Sequence, residues 1–263
     1  MRVFLPVAIL RAVLVVLLTV FWAVPVVLFS YLDPHARSSS RFVRLWASSV
    51  LVVCGVRVRA RGVEGLDPTR PYVFMANHQS LVDIPALVAA LRGFELRWVA
   101  KQDLLRVPVL GLAMRATKQI LVARESRFQA VAALRQVKAL LDAGISVVFF
   151  PEGSRTLTGD LLPFRPGGFL AAARAGRPVV PVTINGSRNA LPPGQWRVRS
   201  GMIEVLVGDP LPLGEHADTK RGREELMARV REAVAARLRP EGGAPGGEAA
   251  SALPGKDHGK QRG

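Results

Sequence analysis

The sequence predicts an α/β domain behind an N-terminal apolar segment, and three observations predict it. From Gly62 onward, short runs rich in β-branched and aromatic residues alternate with helix-period segments. A long uncharged apolar run precedes them. Charged and polar residues gather where the apolar runs end, which is where open α/β sheets bind ligands.

The first element is Ala12 to Leu32, AVLVVLLTVFWAVPVVLFSYL, about 21 residues without a charge and about 30 Å long as a helix. It is long enough to reach across a bilayer. A secretory signal is the rival reading, since Arg2 and Arg11 precede the run, but the run is longer than a typical signal core and no A-x-A-like site closes it. A buried core helix fits less well, because the segment is apolar on every face. Pro25 predicts a kink or a shallow, non-spanning entry. Next come Leu45 to Val56, bounded by Arg44 and Arg57, too short to span but suited with Trp46 to the headgroup level. The two segments predict a helical hairpin or a helix plus an interfacial helix. Arg2, Arg11, Arg37, Arg41, Arg44, Arg57, Arg59 and Arg61 stand against Asp33 alone over residues 1–61, so the positive charge is concentrated at the apolar anchor. That favours a membrane over nucleic acid as the anionic partner, and places the following domain on the cytoplasmic face, as at a bacterial inner membrane.

Strands are predicted near Tyr72–Ala76, Arg97–Ala100, Gln119–Val122, Ser146–Phe150, Val179–Thr183 and Ile203–Val207. Between and after them, helices are predicted over Ile84–Leu91, Asp103–Ala116, Ser126–Asp142 and Thr219–Leu238, the last ending before Pro240. The remainder is Gly/Pro/Ala-rich with few large apolar residues and predicts a disordered tail. No solenoid-length repeat is visible. The division is therefore anchoring helices over 1–58, a catalytic domain over 59–239 and a tail over 240–263.

Composition narrows the function. With 49% hydrophobic residues and a net charge of +16, the chain is a packed basic protein facing an anionic partner rather than a disordered one. One cysteine, Cys54, excludes an intrachain disulfide and a Cys-based zinc cage. The acidic residues are too few for a multi-carboxylate calcium protein. No metal site and no cofactor is expected.

The chemistry begins after YVFMA, where Asn77-His78-Gln79-Ser80-Leu81-Val82-Asp83 sets an imidazole and a carboxylate five positions apart. On a continuous helix they would point about 140° apart. They meet only if His78 lies in the turn before a helix and Asp83 in its first turn, with Ser80 or Asp83 as N-cap and Pro85 near the helix start. The carboxylate then fixes the imidazole tautomer and leaves the other ring nitrogen to take a proton from a hydroxyl. No cysteine or G-x-S-x-G nucleophile is nearby. From spacing alone, the reading in which Ser80 and Asp83 merely cap a helix stands equally open. Phe150-Pro151-Glu152-Gly153-Ser154-Arg155 follows the strand SVVFF and gathers a carboxylate, a glycine, a hydroxyl and a guanidinium in one turn, a set suited to a phosphate. Arg124 closes QILVA and Lys101 closes RWVA, so the three cations are predicted to converge on the sheet edge that carries His78.

NHQSLVD, KQILVAR, FPEGSR and VPVTI, in that order, resemble the four motif blocks of the glycerolipid acyltransferase family, and most of all its 1-acylglycerol-3-phosphate (lysophosphatidate) acyltransferases. The similarity covers about Arg59 to Pro212. The resemblance implies an α/β domain with a mixed sheet flanked by helices, a membrane-seated N-terminal helical pair, and acyl transfer from acyl-CoA or acyl carrier protein to the sn-2 hydroxyl of lysophosphatidate. It implies His78 as general base and Asp83 as its orienting partner. It further implies that Arg124, Glu152, Gly153, Ser154 and Arg155 serve acceptor phosphate and site architecture, that Lys101 belongs to the substrate site, and that Pro181 lies on the acyl-donor side. Two departures bear on the acceptor headgroup: Lys118 stands where the second block usually has Gly, which predicts charge and bulk near the acceptor pocket, and Phe164-Arg165-Pro166-Gly167 replaces an FKKG-like stretch. Ser154 stands for the commoner Thr, a chemically mild change. The alternatives are acylation of another lysolipid such as lyso-ornithine lipid, an inactive lipid-binding protein on the same fold, and, least favoured, a nucleic-acid-binding module.

Overall fold

The structure, a computed structural model, describes residues 4–123, 127–214 and 216–239. In chain order the elements are α1 (Leu5–Ser30), α2 (Ser40–Cys54), β1 (Val56–Arg61), β2 (Val73–Ala76), α3 (Asp83–Ala90), β3 (Leu96–Lys101), α4 (Pro108–Ala116), β4 (Ile120–Val122), α5 (Arg127–Asp142), β5 (Ser146–Phe149), α6 (Gly167–Ala175), β6 (Val179–Asn185), the single-turn α7 (Ser187–Ala190), β7 (Gly201–Val207) and α8 (Lys220–Ala235). The predicted tail and Arg124 lie outside the described residues.

Among the described residues, seven strands form one mixed sheet in the order β1-β7-β6-β2-β5-β3-β4. Every neighbouring pair is parallel except β6 and β7, so β1 and β7 run against the rest. Strand alternation sorts the core onto two faces. Phe74 and Ala76 of β2 pack with Leu51 and Cys54 of α2 and Leu87 of α3. Val73 and Met75 of the same strand pack with Leu141 of α5, Phe169 of α6 and Val230 of α8. Burying each of these large apolar side chains stabilises the fold by about 1.5–3 kcal/mol. Gly168 permits the closest of these approaches: a Cβ there would meet Met75 Cε at 2.7 Å and Phe149 Cδ1 at 2.9 Å.

Three elements differ from the sequence-based expectation. VRVRAR, whose arginines suggested headgroup contacts, forms the edge strand β1 from Val56, ahead of the boundary drawn at residue 59. The helix expected from Asp103 begins at Pro108 and follows a 3₁₀ stretch over Gln102–Arg106, because proline disfavours helical backbone in the residue before it. GGFLAAARA forms α6, which the expected elements omitted. At α8, Thr219 caps the helix by accepting from the Gly222 N–H at 3.1 Å.

α1 is docked along its length. Arg11 donates to Val198 O at 3.2 Å and to Ser200 Oγ at 2.8 Å, ahead of β7. Trp46 of α2 donates to Thr19 Oγ1 at 3.1 Å, and Trp22 donates to Ser49 Oγ of α2 at 3.2 Å. The guanidinium of the buried Arg97 donates to His35 O and ties the connection after α1 to β3. The face turned away from the protein leaves Leu10, Leu17, Phe21, Val24 and Leu28 exposed at helical spacing. Pro25 lies inside an uninterrupted helix.

Candidate active site

Three central strands build the site. β2 leads into the His78 turn, β5 leads into the Glu152 turn, and β6 lies on the other side of β2. Asn77 holds the first turn to β6: its side-chain amide donates to Ile184 O at 2.9 Å and its carbonyl accepts from Ile184 N–H at 2.7 Å, continuing the ladder one residue past the strand.

His78 Nδ1 and Asp83 Oδ2 lie 2.8 Å apart. The same oxygen accepts the backbone N–H groups of Gln79 and Ser80, both at 2.8 Å. Three donors on one carboxylate oxygen leave His78 Nδ1 as the protonated nitrogen. Asp83 is fully buried, whereas the His78 side chain is 15% exposed. Among the described residues Nε2 has no protein partner, so it is available to accept a proton. The N-cap of α3 is Val82, and neither Ser80 nor Asp83 fills that position. Ser80 Oγ instead donates to Leu191 O at 2.7 Å and accepts from Val82 N–H. The carboxylate of Asp83 therefore serves the imidazole and the turn, and the capping reading is set aside.

Glu152 supports the same turn from β5. Its Oε1 accepts the His78 N–H at 2.7 Å and its Oε2 accepts the Leu162 N–H at 2.9 Å. Burial pushes its carboxyl up from an ordinary 4.5 to about 7, against the lowering effect of these two hydrogen bonds. Gly153 turns the chain here with φ +73°, a conformation that favours glycine. Thr156 N–H donates to His78 O at 3.1 Å, closing the two turns on each other. Phe150 stacks on the imidazole with ring centroids 3.9 Å apart and an interplanar angle of 14°, and Trp98 of β3 stacks on Phe150 at 5.9 Å. These rings set the plane of His78. The sequence motifs contained Asn77 and Phe150 without assigning them, and their only signal was position, directly beside His78 and Glu152.

The remaining predicted site residues divide. Ser154 is exposed and Arg155 half-buried, both on the turn that carries Glu152. Lys101 is exposed at the end of β3, level with Asn77 and two strands away, about 10 Å at ordinary strand spacing. Pro181 is buried within β6 opposite Met75, with its carbonyl accepting from Gly208 N–H at 2.8 Å. Lys118 corrects an expectation: it lies in the turn before β4, at the opposite end of the sheet from His78, and adds no bulk to an acceptor pocket. Its φ of +57° explains why glycine suits that position. Phe164-Arg165-Pro166-Gly167 is the entry to α6, with Pro166 as N-cap. No cluster of metal-ligating side chains occurs among the described residues.

The family model described as Acyltransferase matches residues 57–185. A 1-acyl-sn-glycerol-3-phosphate acyltransferase of Chlamydomonas reinhardtii is 34% identical over 212 residues, 80% of this chain and 61% of the relative. One of Pseudomonas aeruginosa is 35% identical over 160 residues, 60% of each chain. The chain thus spans about half to three-fifths of the length of the curated relatives it matches first. The crystal structure of the 1-acyl-sn-glycerophosphate acyltransferase PlsC from Thermotoga maritima superposes with a TM-score of 0.69 at 25% identity, covering 89% of this chain and 97% of that one. The mixed sheet, the His78–Asp83 turn and these sequence matches agree, and residues 57–185 of the chain are an acyltransferase-family segment.

Proposed function

We propose that this chain is a 1-acylglycerol-3-phosphate O-acyltransferase, moving a fatty acyl group from acyl-CoA or acyl carrier protein to the sn-2 hydroxyl of lysophosphatidate and giving phosphatidate for phospholipid biosynthesis. The observation that carries this reading is the His78–Asp83 pair, closed at Nδ1 and open at Nε2. His78 takes the hydroxyl proton as the acceptor oxygen attacks the thioester carbonyl. The new C–O ester bond forms, the C–S bond breaks, and the thiolate leaves with the proton carried by His78. Both donors release a thiolate, so either fits this step. No protein nucleophile intervenes, and the single cysteine, Cys54, is buried in the core at the end of α2. Arg155, with Ser154 and the Gly153 turn beside the base, supplies charge-assisted contacts to the acceptor phosphate, and Arg124 is assigned to the same phosphate by its motif. Lys101 contributes positive charge at the same edge, and Pro181 is assigned to the donor side by its motif alone.

The reading includes a membrane seat. α1 is the one helix among the described residues long and apolar enough to cross a bilayer, with a mean hydropathy of 2.8. Its docking from Arg11 to its last turns supports a helix lying with its outer face in one leaflet, since a helix crossing the bilayer would have to leave α2 and the catalytic domain. The arginines of residues 1–61 favour the cytoplasmic face.

The test is an assay of the purified full chain with a panel of lysolipids and both thioester donors, the products read by mass. Phosphatidate formed from lysophosphatidate in preference to the other acceptors is expected. Preference for another lysolipid would overturn the acceptor assignment, and no transfer to any would overturn the activity.

A further inference from the structure

Three chain segments form a collar around His78, and hydrogen bonds lace them together. Gln79 of the catalytic turn donates to Gly159 O at 3.1 Å, and Ser80 donates to Leu191 O. The Arg188 guanidinium donates to Leu157 O. Arg199 N–H donates to Ala190 O at 2.8 Å, and Arg11 of α1 holds Val198 and Ser200 from the other side. The collar is thus continuous with the start of the exposed apolar face of α1.

Each segment turns one large apolar side chain outward: Leu81 is 53% exposed, Leu157 73% and Trp196 48%. One such residue alone needs no explanation; three on one collar, beside an exposed apolar helix, form a surface. Its charge has one sign. Arg155, Arg188, Arg197 and Arg199 lie on these segments against Asp160, the carboxylates Asp83 and Glu152 of the same turns being buried, and Arg197 sits over the Trp196 ring at 5.3 Å. Tryptophan and leucine among arginines is the composition of a surface at the headgroup level, where the ring lies at the polar boundary and the guanidinium meets phosphate.

We propose that this collar is a second lipid-contacting surface, separate from α1, that seats the mouth of the catalytic site in the headgroup layer of an anionic bilayer. The occupant is the bilayer rather than an acidic protein, because the collar runs on into α1, whose apolar outer face has no charge to offer a protein partner. The proposal rests on the membrane reading above and adds the contact at the site itself. A lysolipid then reaches His78 without leaving the headgroup layer.

The experiment uses the full chain with Cys54→Ala, so that a spin label attaches only at an introduced cysteine. Labels are placed at Leu157→Cys on the collar, at Phe21→Cys on α1 and at Ala139→Cys on α5, across the sheet. On vesicles containing phosphatidylglycerol, the Leu157→Cys label should become shielded from an aqueous nickel complex and accessible to oxygen, as the Phe21→Cys label does, while the Ala139→Cys label stays aqueous. An aqueous Leu157→Cys label beside a shielded Phe21→Cys label would overturn the collar and leave the α1 reading intact. Aqueous labels at both would overturn both. In an unlabelled background, Arg197→Ala with Arg199→Ala should lower partitioning onto these vesicles by about 30-fold and leave partitioning onto neutral vesicles unchanged. Unchanged partitioning onto the anionic vesicles would overturn the proposal, as would a Leu157→Cys label that responds to acidic acyl carrier protein and ignores vesicles.

Discussion

Replacing Asp83 by Asn isolates what the carboxylate charge does. Asp83 Oδ2 accepts three N–H groups, from the His78 ring and from the Gln79 and Ser80 backbones, each at 2.8 Å. An Asn amide must put its oxygen there, since its NH₂ would face three donors. His78 therefore keeps its proton on Nδ1 and its basic nitrogen toward substrate, and the variant loses charge without changing tautomer. The two backbone bonds are the same before and during reaction, so the loss falls on the bond to the imidazolium that forms as the hydroxyl is deprotonated. A hydrogen bond to an ionised group contributes about 1.5–3 kcal/mol against about 0.5–1.5 for a neutral one. Taking the loss as about 1–2.5 kcal/mol, at 1.36 kcal/mol per tenfold, kcat should fall by about 5- to 70-fold. His78→Ala should fall further, by about 10²- to 10⁴-fold. The assay is the initial rate of thiol release from the acyl donor at saturating lysophosphatidate, with circular dichroism confirming the fold of each variant. A loss of about 10⁴ in Asp83→Asn, equal to that of His78→Ala, would mean that the amide has turned and imposed the wrong tautomer. Wild-type turnover would mean that the carboxylate charge takes no part.

Glu152 holds two backbone donors with two oxygens, so Glu152→Gln must point NH₂ at one of them; urea melts at pH 8 should show a loss of about 1–3 kcal/mol. Because burial raises this carboxyl from 4.5 to about 7, the wild type binds an extra proton when folded and loses the corresponding stability as pH rises from about 4.5 through 7; Glu152→Gln should lack that slope, and identical pH profiles would contradict the assignment. Lys118→Gly should stabilise the protein by about 0.5–1 kcal/mol by relieving its left-handed backbone, measured by thermal melting, with kcat unchanged because Lys118 lies at the far end of the sheet. Arg155→Ala should raise the KM for lysophosphatidate by about 10- to 100-fold while sparing that for the donor, with Arg155→Lys recovering part; an effect confined to the donor would reassign Arg155 to the donor's phosphates.

By itself the sequence determined the elements whose signal is local. VFMA and SVVF are short apolar runs between turn residues, and they form β2 and β5 close to where the runs lie. Pro240 and Thr219 bracket α8, and the uncharged N-terminal run marks α1. The four motif blocks pointed to His78, Asp83 and Glu152 as one site. Tertiary structure alone decided what depends on partners distant in the chain. β1 alternates valine with arginine and becomes a strand only because β7 pairs with it, from Val56 against Gly201 onward. α6 opens on two glycines, poor helix formers, and is held by the fit of Gly168 against Met75 and Phe149. Five residues of spacing left His78 and Asp83 either paired or merely flanking a helix cap. The pair forms because the Glu152 carboxylate, Asn77 and Leu191 hold the turn from β5, β6 and the segment after α7. The position of Lys118 was misread for the same reason: a motif gives order along the chain, whereas strand direction decides which end of the sheet a residue occupies.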